Sequence, residues 1–159
     1  MLDIWEMEED QFVVVDLDKD GRPIGEEATT LTRFIGSVVR RYQYAPINYK
    51  SWKEMSKEHK DEMLEILEAK FEFVPPINNE TIEMLKAQLN EKWRQWKFDL
   101  KLMTFDPSKT EEQVASILPD DRVDSSQYRD LVHYWFSENG QVSHKANRLS
   151  HSMLLMILC

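Results

Sequence analysis

Cysteine is nearly missing from this sequence: of 159 residues only the last, Cys159, carries a thiol. That excludes a disulfide framework and a Cys-rich zinc site, and it suits a reducing compartment. Glycine is scarce, with four residues, and proline numbers six, which excludes collagen-like and linker-like composition. No apolar run approaches the roughly 20 residues of a membrane-spanning helix, and the first ten residues are too acidic for a signal peptide. Cations are outnumbered, 20 Lys and Arg against 29 Asp and Glu, for a formal charge of −9. A uniformly negative surface repels phosphate, so this balance at first argues against a nucleic-acid partner.

What is present points to a folded chain. Five Trp, seven Phe and five Tyr within 42% apolar residues are too many buried-type side chains for a disordered polymer. The length suits one domain with a sizeable core. The charge is also unevenly spread. Residues 1–32 hold two basic and ten acidic side chains, residues 33–101 thirteen and eleven, and residues 102–159 five and eight. The composition shift near Glu27 divides the chain into an acidic N-terminal segment (1–27), a helical domain (28–140) and a C-terminal tail (141–159). The acidity belongs mostly to the first, so the middle is free to present a basic face.

The Val-rich run Phe12-Val13-Val14-Val15 reads as a short strand leading into a turn-rich stretch, residues 16–25. Helices are expected from Thr29 or Thr30 to Tyr42, from a Ser56 cap to Phe71, and from Asn78 or Asn79 to Met103. Two more are expected over residues 110–118 and from Ser125 or Ser126 to Phe136, with a capped turn at Ser51 to Glu54. Pro75-Pro76 and Asp106-Pro107 act as stops, and Asn139-Gly140 as a C-cap. The expected class is all-α, five or six helices in one compact domain with a short extended N-terminal piece.

The long segment 81–103 carries most information. Ile82, Leu85, Leu89, Trp93, Trp96, Leu100 and Met103 form one apolar stripe at steps of three or four. Lys86, Asn90, Arg94, Lys97 and Lys101 form a polar, mostly cationic stripe about a quarter-turn away. An indole-anchored helix with Lys and Arg facing outward is how helical DNA readers present a recognition element. The same pattern also describes an ordinary solvated face. Trp52, Trp93, Trp96, Trp135 and Phe71 are expected to hold the core, since the helical indoles continue an apolar stripe.

Several motifs then fall into one order: Gly21-Arg22-Pro23-Ile24-Gly25; Phe34-Ile35-Gly36 with Val39-Arg40; Pro46-Ile47; Trp52-Lys53; Lys70-Phe71; Lys92-Trp93-Arg94-Gln95-Trp96-Lys97; Phe105-Asp106-Pro107; and Leu131-Val132-His133-Tyr134-Trp135 with Asn139-Gly140. This series resembles the plant transposase domain of the Ptta/En/Spm transposon family over about residues 12–148. The resemblance implies a nuclear protein encoded by, or derived from, a plant DNA transposon, with DNA, a transposon-encoded protein or a second copy as partner. The family pattern continues beyond Asn139-Gly140 into a long basic stretch, whereas residues 149–159 here turn apolar, as expected of a truncated copy. The helix around Lys92 to Lys101 also looks like the last helix of Myb-like and trihelix domains.

Transposition chemistry needs a carboxylate triad holding two divalent metals. No comparable strand series, nucleophile–base pair, Gly-rich phosphate loop or H-E-x-x-H motif occurs, and His59, His133, His144 and His151 are scattered. The expectation is a non-catalytic domain without cofactor or small-molecule substrate. Asp16, Asp18, Asp20 and Glu27 match the EF-hand spacing, but a Val-rich lead-in, Pro23 and the lack of a second hand favour an acidic turn over a calcium site. The apolar run 153–158 is too short to span a membrane.

DNA contact is therefore expected from Lys86, Arg94, Lys97 and Lys101, with Arg33, Arg40 and Arg41 as auxiliaries. The alternative is a protein-interaction module without nucleic-acid binding, and a third reading is a calcium-binding loop.

Overall fold

The computed structural model describes residues 3–137. The expected tail 141–159, the Asn139-Gly140 stop, the apolar run 153–158, His144 and His151 lie outside the described residues. After a 3-10 turn at Ile4–Glu6, the chain forms strands β1 (Val13–Leu17) and β2 (Pro23–Ile24), helices α1 (Glu26–Val39) and α2 (Lys57–Lys70), and strand β3 (Phe71–Val74). Helices α3 (Asn79–Thr104), α4 (Glu111–Ala115) and α5 (Ser125–Phe136) follow.

The three strands form one sheet in the order β2-β1-β3. β1 pairs antiparallel with β2, with Asp16 opposite Ile24, and parallel with β3, with Val14 opposite Glu72 and Asp16 opposite Val74. The fold is mixed α/β, and the expected all-α class is overturned by this sheet. The cause lies at Phe71. That residue continues the helical series Met63, Leu67, Phe71, but it also opens Phe71-Glu72-Phe73-Val74, which alternates apolar and polar as a half-buried strand does. The second period wins because β1 offers a ladder partner, and that partner lies far back in the chain. α2 accordingly stops at Lys70, with Phe71 extended at φ −124° and ψ 135°.

Helix boundaries follow local chemistry. Ser56 caps α2 by accepting from the His59 amide, and Asn78 caps α3 by accepting from the Thr81 amide. α1 starts at Glu26 after Gly25, earlier than the Thr29 or Thr30 start expected, and ends at Val39. α4 is only a single turn, fixed by a Thr110–Gln113 capping box. α5 takes its cap from Asp124.

Two apolar clusters share α3. The first joins Val15 and Leu17 of β1 and Phe71 and Phe73 of β3 to Leu31, Phe34 and Ile35 of α1, with Leu85, Leu89 and Trp93 of α3. Ile4 and Met7 belong to it too, so the acidic N-terminal segment packs into the same core. The second joins Trp96 and Leu100 of α3 to Val114, Tyr128, Leu131, Val132 and Trp135, with Ile47 from the loop after α1. At about 1.5 Å per residue, the 26 residues of α3 span roughly 40 Å and tie the clusters together.

Candidate nucleic-acid interface

The loop between α1 and α2 is what gives α3 a partner surface. It is stapled by hydrogen bonds from chain segments far away. The Trp93 indole N–H donates to the Pro46 carbonyl at 3.1 Å, and the Ile47 amide donates to Gln127 Oε1 at 3.2 Å. Asn48 Nδ2 donates to Asp130 Oδ2 at 3.0 Å, and Lys97 Nζ donates to the Tyr49 carbonyl at 2.7 Å. Further on, Trp52 tilts against Trp93 with ring centroids 5.8 Å apart.

These contacts place Lys50 and Lys53 beside the middle of α3. An open cleft of about 510 Å³ results, lined by Lys50, Trp52, Lys53, Asn90, Arg94 and Lys97, with Ser51 and Trp93. Four cations and no carboxylate line it. Lys50, Lys53 and Arg94 are exposed and form no ion pair among the described residues. Lys97 lies deeper, its ammonium 4.0 Å from the centroid of the Trp93 ring. Burial lowers its pKa to about 8, against an upward pull from Glu54.

The cationic stripe read from the sequence is thus divided. Arg94 and Lys97 meet in the cleft. Lys86 sits one turn and more away, 3.8 Å from the Glu83 carboxylate. Lys101 is 8% exposed and turned inward, with its ammonium 5.3 Å from the Phe105 ring and 5.9 Å from the Trp135 ring. Burial lowers its pKa to about 8.

The auxiliary cations go elsewhere. The Arg40 guanidinium lies 5.4 Å over Trp96, whose ring also receives Arg122 at 5.1 Å. Arg41 covers Trp5 at 3.8 Å, and Arg33 is exposed beside Trp5 and Phe34. Such cation–π contacts leave the outer N–H groups available but fix the side chains against the core. Trp93, Trp96, Trp135 and Phe71 are buried, and Trp52 is half-buried.

Lys50 and Lys53 are not among the cations expected from the sequence. The available signal was two cations three residues apart around Trp52, the same interleaving seen in α3. It was hidden because the segment is irregular, and nothing local says which helix it will touch.

The EF-hand-like carboxylates are spread out. Asp16 belongs to β1 and Glu27 to the first turn of α1, while Asp18 Oδ1 accepts from the Asp20 and Arg22 amides at 2.9 Å each. The Arg22 amide bond, above all, holds the Asp18 carboxyl below its usual range. Among the described residues no group of three or more His, Cys, Asp or Glu is placed to hold a metal ion. No helix among them is long and apolar enough to cross a membrane.

Comparison with protein-family models, with curated proteins and with solved structures gives no match. The transposase likeness therefore rests on the sequence motifs alone.

Proposed function

We propose that this protein is a non-catalytic DNA-binding domain of the plant Ptta/En/Spm transposase type, acting in the nucleus. Lys50, Lys53 and Arg94 grip the phosphate backbone, with Lys97 behind them and Trp52 as the floor they share. The observation that supports this reading is the convergence of four cations in one cleft without a carboxylate in its lining. Phosphate contact of this kind positions a protein on duplex without reading bases. The cations expected from the sequence at Lys86 and Lys101 contribute little, being paired or turned inward.

Gel shift or fluorescence anisotropy with random duplex at low salt tests the proposal. With three to four phosphates neutralised, log affinity falls with log salt at a slope of about −2.7 to −3.6. Charge reversal at Lys50 together with Arg94 is expected to abolish binding at moderate salt. Absence of binding at low salt, a slope near zero, or unchanged affinity in the reversed variant overturns the reading.

A further inference from the structure

Among the described residues, no element covers the outer face of the sheet. Val15 and Leu17 of β1 and Phe71 and Phe73 of β3 point into the core, so the alternate positions point out. These are Val14 and Asp16 on β1, Ile24 on β2, and Glu72 and Val74 on β3, with Phe12 continuing the β1 parity. Phe12, Val14, Ile24 and Val74 are each 47–49% exposed. The register makes them one patch: Asp16 lies between Ile24 and Val74, and Val14 lies beside Glu72.

Two independent observations say what fits there. The first is size. The sheet is mixed, β1 pairing parallel with β3 and antiparallel with β2. Helix α1 packs against β1 and β2 and covers one face. The outer face is about 10 Å wide, being two inter-strand spacings, which matches the diameter of one helix.

The second is charge. Asp16 and Glu72 stand exposed within the patch and form no ion pair among the described residues. Along the chain, Asp10 precedes β1, Asp20 lies with Lys19 and Arg22 in the β1–β2 turn, and Glu26 and Glu27 open α1 directly after β2. A second copy meeting this face symmetrically would set carboxylate against carboxylate. A basic amphipathic helix instead supplies an apolar stripe for Val14, Ile24 and Val74 and cations for Asp16 and Glu72.

We infer that the outer sheet face of β1, β2 and β3 docks a basic amphipathic helix of a partner protein. The site is separate from the cationic cleft and stands whether or not the cleft binds DNA.

The test uses the full chain and two labelled 14-residue peptides with Leu at helical spacing, one with Lys and one with Glu at the remaining positions. Fluorescence anisotropy is expected to show binding of the Leu/Lys peptide only. The double variant Val14→Thr/Val74→Thr keeps the net charge and the β-branched shape, and it should weaken binding about tenfold. Asp16→Asn/Glu72→Gln should do the same, with thermal melts and duplex binding unchanged in both. Equal binding of the two peptides, no binding of either, or undiminished affinity in the Val14→Thr/Val74→Thr variant overturns the inference. Self-association of the native chain that disappears in that variant overturns it too, by making a second copy the occupant.

Discussion

The Thr81 hydroxyl donates to the carbonyl of Gly21 at 3.0 Å, joining the first turn of α3 to the hairpin between β1 and β2. Gly21 sits at φ +78°, and a Cβ placed on it would stand 2.5 Å from that same hydroxyl oxygen. Both the backbone conformation and the close approach therefore require glycine. Gly21→Ala is expected to lower stability by about 2–3 kcal/mol, combining left-handed backbone strain with displacement of the buried hydroxyl. Urea unfolding measures it. Gly21→Ala/Thr81→Ala should be less unstable than the two single losses added, because the second change removes the collision.

Lys97 and Lys101 set an alkaline pH dependence. Both have pKa values lowered by burial from 10.5 to about 8. Between those values the unfolded chain binds more protons than the folded one, so stability rises with pH across that window. Burial raises the pKa of Tyr128, and this opposes the trend above pH 10. Melting temperature at pH 9.5 should exceed that at pH 7.5 by several degrees. Lys97→Met should flatten the profile. A melting temperature that falls over this range contradicts the burial of both ammonium groups.

The cations of α3 should separate by environment in DNA affinity. Arg94→Gln is expected to weaken duplex binding several-fold and to lower the magnitude of the salt slope by about 0.9. Lys86→Gln and Lys101→Gln should leave affinity within about twofold. Titrations at three salt concentrations distinguish these outcomes. A larger loss from Lys101 than from Arg94 would reverse the assignment of the interface.

Trp93 acts on the interface without carrying charge. Trp93→Phe removes the bond to the Pro46 carbonyl and part of the packing against Trp52. The expected loss of stability is about 2–4 kcal/mol. Hydrogen exchange should quicken over residues 46–54, and DNA affinity should drop although every cation remains. Retained protection in that loop would show that Ile47, Asn48 and Lys97 hold it unaided.

How much of this was legible in the sequence depended on how local each cause is. The cap at Ser56, the α3 start at Asn78 or Asn79 and the apolar stripe of α3 could be read directly, since a helix is written in neighbours three and four apart. The sheet could not. Phe12 to Val15 was readable as a strand, whereas Asp16 and Leu17 read as the start of a turn; Phe71 satisfied two periods at once, and the choice between them was made by pairing with residues nearly 60 positions earlier. The cleft failed to show for the same reason. Arg94 was visible on a helix face, whereas Lys50 and Lys53 acquire meaning only through bonds to Trp93, Lys97 and Gln127. Burial of Lys101 was equally hidden, because Phe105 and Trp135 approach it from outside the helix.

Since α3 is embedded in both apolar clusters, opening either cluster exposes part of the same helix. A ligand held at the middle of that helix is consequently linked to the stability of the entire domain. Saturating duplex should shift one cooperative melting transition upward as a whole, without splitting it.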